Sequence, residues 1–290
     1  MKIAFIITAY NKPVQLTKLI NCLGNKGGFE NIFVHIDKKA PYSENEIISK
    51  TNNLISISKK YSVFWGGYNQ LLSIHSLIHY AVNKEEYDFI ILLSGQDLPA
   101  VSYDEMMTFL GGKRGQSFIT SYKLPIESWN YKHGFGRVQW YWFMDHVKRI
   151  RGLHKFHVLS HYLFEGFNII KPASRDIEFY GGSDWWILPG EVAKYCLNEF
   201  KINKKLRQCF KFSFIPSEMF FQTVIGNSKY QNSVANNNYR YIAWSSDNKG
   251  HPNIITNEHK KEIEESGCLC ARKFDMDSHP DIFSYFEKKF

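Results

Sequence analysis

The 290-residue sequence is poor in cysteine and has no cysteine pattern. The five thiols are Cys22, Cys196, Cys209, Cys268 and Cys270, an odd number with no Cys-x-x-Cys pair. That argues against a disulfide framework and favours free, buried thiols in a reducing compartment. No apolar run approaches ~20 residues, so neither a membrane span nor a signal peptide is expected. A Gly-x-Gly-x-x-Gly loop and a Walker loop are both absent, which removes the two commonest phosphate-cradling signatures. Histidines are plentiful, yet no His-Glu-x-x-His or zinc-like spacing occurs. A single Asp-x-Asp, Asp275-Met-Asp277, lies near the C-terminus and not at an early strand end, where a metal-diphosphate site is expected.

What is present points to a globular protein. Hydrophobic residues make up 44% of the chain, enough for a substantial core and too many for disorder. Aromatics reach 16%; most belong to the core, and the excess suits stacking on sugar rings or nucleobases. A net charge of +8 favours anionic partners without choosing among nucleotides, nucleic acid and acidic lipid.

The opening run from Ile3 to Thr8 reads as a buried strand. A helix follows through Leu16, Leu19, Ile20 and Leu23, with Gly24 as its stop. The run from Asn31 to Asp37 is a second strand ending in an acid, and Ser56 to Phe64 reads as a third. Trp65-Gly-Gly-Tyr68 is a loop before a helix from Asn69 to Asn83. Tyr87 to Leu93 is the strongest strand, with a loop from Ser94 to Pro99 at its carboxyl end. This order predicts a mostly parallel central sheet flanked by helices, with ligands at the carboxyl ends of the strands. Asp37, Trp65 and the loop 94–99 all fall at that edge.

Beyond about residue 115 the pattern loosens. The stretch from Trp129 to Leu163 mixes Trp140 and Trp142 with Lys148, Arg149, Arg151 and five histidines. It carries no nucleic-acid recognition module, so acceptor binding or a membrane-facing surface is the preferred reading. Gly181-Gly-Ser-Asp-Trp-Trp186 reads as a turn before a helix through Tyr195, and Pro216 opens a further helix with Glu218 in its first turn. No repeat or linker appears, so 1–290 is read as one domain with two parts, 1–115 and 116–290.

Three groups could carry chemistry. Glu218 is either an acid favouring a helix dipole or a general base for an attacking hydroxyl. Asp184 is either part of an ordinary turn or an acceptor of sugar hydroxyls, with Trp185 beside the ring. Arg240 and the Arg272–Lys273 pair are either surface charge or the cations that neutralise a departing diphosphate without metal.

Eight segments taken in order resemble the core-2/I-branching β-1,6-N-acetylglucosaminyltransferases and the related peptide O-xylosyltransferases. They are His35–Lys39, Trp65–Tyr68, Tyr87–Pro99, Gly182–Trp186, Pro216–Thr223, Arg240–Trp244, His251-Pro252 and Ala271–Asp275. The resemblance implies a GT-A-like nucleotide-binding fold without the usual metal-binding Asp-x-Asp. It implies a metal-independent, inverting transfer from a UDP-sugar, with no cofactor beyond that co-substrate. It places the base on Glu218, the metal-replacing cations on Arg240 and Lys273, a uridine contact on Asp37 and the nucleotide-facing loop at Trp65. Asp184 and Trp185 match positions near the sugar and acceptor. N-acetylglucosamine is the expected sugar, with xylose as the rival and a catalytically inactive carbohydrate-binding protein as the rival of another class. Animal members are anchored, disulfide-bearing Golgi proteins. This sequence instead suggests a bacterial-type cytoplasmic enzyme of surface polysaccharide synthesis, at most peripheral at the inner membrane face, with a glycan or lipid-linked glycan acceptor.

Overall fold

A computed structural model describes residues 1–24, 31–51, 54–147, 156–244 and 251–290. The basic residues Lys148, Arg149 and Arg151 of the aromatic stretch lie outside these ranges.

The centre is a six-stranded sheet. Its strands are β1 (Ile3–Ala9), β2 (Ile32–Ile36), β3 (Leu54–Ser58), β4 (Phe89–Ser94), β6 (Phe118–Ile119) and β9 (Trp186–Pro189), in the order β3-β2-β1-β4-β9-β6. The first four are mutually parallel, and β9 runs antiparallel to both β4 and β6. Strand β5 (Asp97–Pro99) joins β10 (Arg240–Ile242) and β11 (Cys270–Arg272) in a small second sheet. Strands β7 (Tyr122–Lys123) and β8 (Tyr180–Gly181) form a separate ribbon.

Burial on both faces explains the apolar runs. In β1 the side chains of Ile3, Phe5 and Ile7 enter one core, and those of Ala4 and Ile6 enter the other. In β4, Phe89, Ile91 and Leu93 alternate with Ile90 and Leu92 in the same way. The first core is closed by helix α1 (Pro13–Gly24) and the C-terminal helix. The second is closed by α2 (Tyr68–Lys84) and by the helices that follow β9 and Glu218. Those later helices, with the one that precedes them, are α3 (Phe156–Gly166), α4 (Gly190–Ile202), α5 (Phe220–Gly226) and α6 (Pro280–Lys289).

Several boundaries differ from the sequence expectations. The third strand is Leu54–Ser58 rather than 56–64, because Val63 and the residues around it turn across the end of the sheet, where the Val63 amide bonds Asp37. The loop expected over 94–99 contains β5, since Asp97–Pro99 finds a partner in β11, which lies far away in sequence. Trp186 to Pro189 is a strand and not a helix start; Trp186 is fully buried beside Phe221, and the helix begins only at Gly190. Glu218 sits in a 3-10 turn (Pro216–Glu218), one turn before α5. The sheet draws strands from both the 1–115 and the 116–290 parts, through β4 with β9 and β5 with β11. All five cysteines are thiols outside any disulfide, four of them buried.

Asp97 ties the two sheets together. Its side chain is fully buried and accepts from the Ser94 amide at 2.7 Å, the Ser94 hydroxyl at 3.0 Å, and Arg240 and Arg272 at 3.1 Å each. Breaking a buried ion pair by removing one partner typically costs about 3–5 kcal/mol, because the remaining charge is stranded. Asp97→Ala should therefore lower unfolding stability by roughly that amount in urea titrations. A loss below about 1 kcal/mol would show that the pair is no more than a surface-type contact.

Candidate functional site

Two adjoining cavities open at the carboxyl ends of the parallel strands. The smaller, about 310 Å³, lies between β1 and β4, where the strand order reverses, and is walled by Thr8 to Asn11, Ser94 to Gln96 and Asp37. The larger, about 980 Å³, holds Asp184, Glu218, Arg137 and four tryptophans: Trp65, Trp129, Trp185 and Trp244. Gln70, Arg272 and Lys273 line both. A ligand with one end in each cavity would pass those three side chains.

Asp37 stands just beyond the end of β2 with its carboxylate well supplied. The Lys39 amide donates to it at 2.8 Å, the Lys39 ammonium at 2.6 Å and the Val63 amide at 3.2 Å. A carboxylate has about four acceptor positions, so this set leaves about one for a ligand. Lys39 also lies over the rings of Phe64 and Tyr10, 4.4 and 5.4 Å from their centres, which closes this side of the smaller cavity. Trp65, 57% exposed and edge-on to Phe214, belongs to the larger cavity and not to the one that holds Asp37.

The Gly182 loop brings Asp184 to the floor. The Gly182 amide donates to the Glu218 carbonyl at 2.9 Å, and a Cβ at Gly182 would overlap the Thr120 carbonyl. Only glycine permits this approach to Thr120, and the amide bond ties the Asp184 loop to the Glu218 turn. Asp184 Oδ1 is buried with no hydrogen-bond partner among the described residues. Burial raises the Asp184 pKa, while the Ser217 hydroxyl, the Arg272 and Arg137 guanidiniums and Gln70 oppose the rise.

Glu218 is held by Arg137, whose Nη1 donates to it at 2.6 Å. The Arg137 guanidinium lies over Trp129, 3.8 Å from the ring centre. About a quarter of the Glu218 side chain (26%) is exposed to the cleft, so the carboxyl is reachable. Burial first and the Asp184 charge second push its pKa up to about 7, against the opposing pull of Arg137. A carboxyl poised there holds a proton in part at neutral pH and can accept one from a bound hydroxyl.

The basic residues divide by environment. Arg240 is buried, donating to Asp97 at 3.1 Å and to the Leu92 carbonyl at 2.7 Å. Arg272 keeps 17% of its side chain exposed, and its guanidinium lies 4.1 Å from the Trp185 ring centre. Trp185 is itself 8% exposed, with Arg240 also near it at 5.3 Å, so a ring face read as open to a sugar is covered by cations. Lys273 has its pKa lowered by burial and then by the neighbouring Arg272. The sequence reading named Arg240 with Lys273; the pair facing both cavities is Arg272 with Lys273. The late Asp-x-Asp lies outside both cavities, and Lys12 bridges its two carboxylates, at 2.5 Å from Asp275 and 2.9 Å from Asp277. Arg137 was not legible at all: it is one arginine in an irregular stretch, 81 residues from the acid it holds.

A family model described as Core-2/I-Branching enzyme matches residues 3–265. The chain belongs to the core-2/I-branching enzyme family. Among its relatives, Xylosyltransferase 2 of Canis lupus familiaris is 24% identical over 254 residues, 84% of this chain and 27% of that protein. Xylosyltransferase oxt of Drosophila pseudoobscura pseudoobscura is 25% identical over 289 residues, 96% of this chain and 28% of that one. Xylosyltransferase sqv-6 of Caenorhabditis briggsae is 25% identical over 245 residues. The chain thus spans little more than a quarter of the curated relatives it matches. Family and relatives together support a glycosyltransferase.

The raised pKa of Glu218 has a consequence for stability that is independent of any substrate. The folded chain holds this proton near pH 7, against 4.5 for an ordinary glutamate. The carboxyl's contribution to stability is therefore complete below about pH 4.5 and lost as pH rises through about 7. Glu218→Gln, which does not titrate, should gain thermal stability relative to the native chain between those two pH values and hold the gain above them. A difference in Tm that does not vary with pH would show an ordinary carboxyl.

Proposed function

We propose that the chain is an inverting, metal-independent transferase that moves a sugar from a UDP-sugar to a hydroxyl of a glycan acceptor. The observation that carries the reading is the shared wall: Arg272 and Lys273 stand between a nucleotide-sized cavity at the β1–β4 switch point and a cavity floored by Glu218 and Asp184. A diphosphate lying across that wall has uridine on the Asp37 side and the sugar on the Glu218 side.

In this reading Glu218 takes the proton of the acceptor hydroxyl as its oxygen attacks the anomeric carbon. The bond to the diphosphate oxygen breaks in the same step, and the charge that develops on UDP falls between Arg272 and Lys273. Arg240 serves indirectly, by fixing Asp97 and through it Arg272. The cations take the part that a divalent ion plays elsewhere, and Lys12 already bonds both carboxylates of the Asp275–Asp277 pair. Arg137 aligns Glu218 and keeps its carboxyl from rising further. N-acetylglucosamine is the sugar expected from the sequence. Xylose is the second reading, favoured by the names of the relatives.

The direct test is UDP release from a panel of UDP-sugars in EDTA, with and without glycan acceptors. Turnover that vanishes in EDTA and returns with manganese contradicts metal independence, and no UDP release from any donor contradicts a transferase. On the same preparation, Glu218→Gln should bind UDP normally and lose about a hundredfold to ten-thousandfold of its turnover. Retention of more than about a tenth of the rate would remove Glu218 as the base.

The cations make a separate prediction. Arg272→Ala and Lys273→Ala should each weaken UDP binding by about tenfold to a hundredfold, the value of a charge-assisted hydrogen bond. Arg240→Ala should instead act chiefly on stability. Calorimetric titration with UDP separates these, and a UDP affinity unchanged in both cavity variants would return Arg272 and Lys273 to the status of structural charge.

A further inference from the structure

Trp129 lines the large cavity, yet its ring is hemmed in. A Cβ at Gly134 would stand 2.9 Å from its Cε3, and one at Gly181 would stand 2.5 Å from its Cη2, so glycine at both places makes room for the ring. The Arg137 guanidinium covers one face at 3.8 Å. A sugar cannot stack on a face that a cation already occupies.

The chain turns sharply between ring and guanidinium. Tyr131, Lys132 and His133 take positive φ angles of 61°, 53° and 53°, and Gly134 follows at 97°. Left-handed backbone is unfavourable for residues with a Cβ, and three in succession persist only where the surroundings fix them. Here the Ile126 amide donates to the His133 carbonyl at 3.0 Å and the Trp129 amide to the Ile126 carbonyl at 2.9 Å. The Tyr131 ring packs edge-on to Trp142 and Phe214, with centres 5.1 and 5.7 Å apart. Trp129 enters this turn and Arg137 follows it, and the turn brings the two face to face.

Arg137 depends on that support. Its Nη1 donates to Glu218 Oε2, but its Nε is buried with no hydrogen-bond partner among the described residues. A guanidinium held by one bond can swing about it, and an aromatic ring against its face removes the swing. With Oε2 taken by Arg137, Oε1 is the Glu218 oxygen left to meet a hydroxyl in the cavity.

We propose that Trp129 is a positioning residue: its ring fixes the plane of Arg137, and Arg137 in turn aims Glu218 Oε1 at the acceptor hydroxyl. The kinetic consequence rests on the transferase reading, whereas the coupling of ring, guanidinium and carboxylate exists without any substrate.

Two measurements on the full chain test this. In steady-state kinetics Trp129→Leu should lose about tenfold to a hundredfold of kcat, as misaligned groups do. Its KM values for donor and acceptor should stay within about twofold of native, since no substrate contact is lost. Trp129→Phe, which keeps a ring beneath the cation, should stay within about threefold of the native kcat. In an Arg137→Gln background Trp129→Leu should cost less than about a further twofold, because the two act in series. The second measurement needs no substrate. A cycle of Arg137→Gln and Glu218→Gln in urea unfolding should show a coupling of at least about fivefold in the unfolding constant, falling below about twofold when Trp129→Leu is added. Should Trp129→Leu fold poorly, Trp129→Met takes its place in every arm. A raised acceptor KM with native kcat would make Trp129 a sugar platform and overturn the proposal. Additive kinetic losses, a Trp129→Phe no better than Trp129→Leu, or a coupling that is absent in the native chain or survives without the ring would also overturn it. No UDP release from any donor, with the coupling lost as expected, counts against the transferase reading alone.

Discussion

One buried carboxylate organises the cleft. Asp97 is shut off from water and is bonded by two guanidiniums, an amide and a hydroxyl. Each partner comes from a different place: Ser94 ends β4, Arg240 begins β10 and Arg272 ends β11. The cost of withdrawing these charges from water is recovered only if all of them meet, so the pairing fixes the small sheet against the large one. It also sets Arg272 upon Trp185, which lines the large cavity together with Asp184.

The second constraint is the opposite in kind. Asp184 and Glu218 are two acids brought close, each with its pKa raised by burial, and the Asp184 charge raises Glu218 further. The Gly182 amide ties the Asp184 loop to the Glu218 turn, and Arg137 limits the cost by bonding Glu218 and opposing the rise at both acids. The cleft therefore holds acids with raised pKa values on its floor and cations on its shared wall. That distribution suits a reaction in which a proton leaves one partner while negative charge gathers on the other.

Legibility in the sequence followed the range of the forces. Both faces of β1 and β4 are covered by helices, so those strands read as unbroken apolar runs, and their parallel order followed from helices between them. Asp37, Glu218 and Asp184 stand in short motifs whose turn residues mark them. Strand β5 was hidden in a loop because its partner β11 is some 175 residues away, the separation of Asp97 and Arg272. Trp186 read as a helix entry because a single buried antiparallel strand of four residues has no period long enough to show.

The sequence by itself determined the α/β class and the family to which the chain belongs, and it singled out acids that line the two cavities. Only the tertiary structure decided which cations are available there. Arg240, Arg272 and Lys273 are equally basic in a sequence, and each stands at the edge of a strand-like segment. What separates them is exposure: Asp97 bonds both Arg240 and Arg272, but the Arg240 side chain is 1% exposed and that of Arg272 17%. Arg240 is buried against Asp97, 143 residues away, while Arg272 and Lys273 keep a side open to both cavities. Charge neutralisation depends on distance in space and on exclusion of water, and neither is encoded in any local pattern of residues.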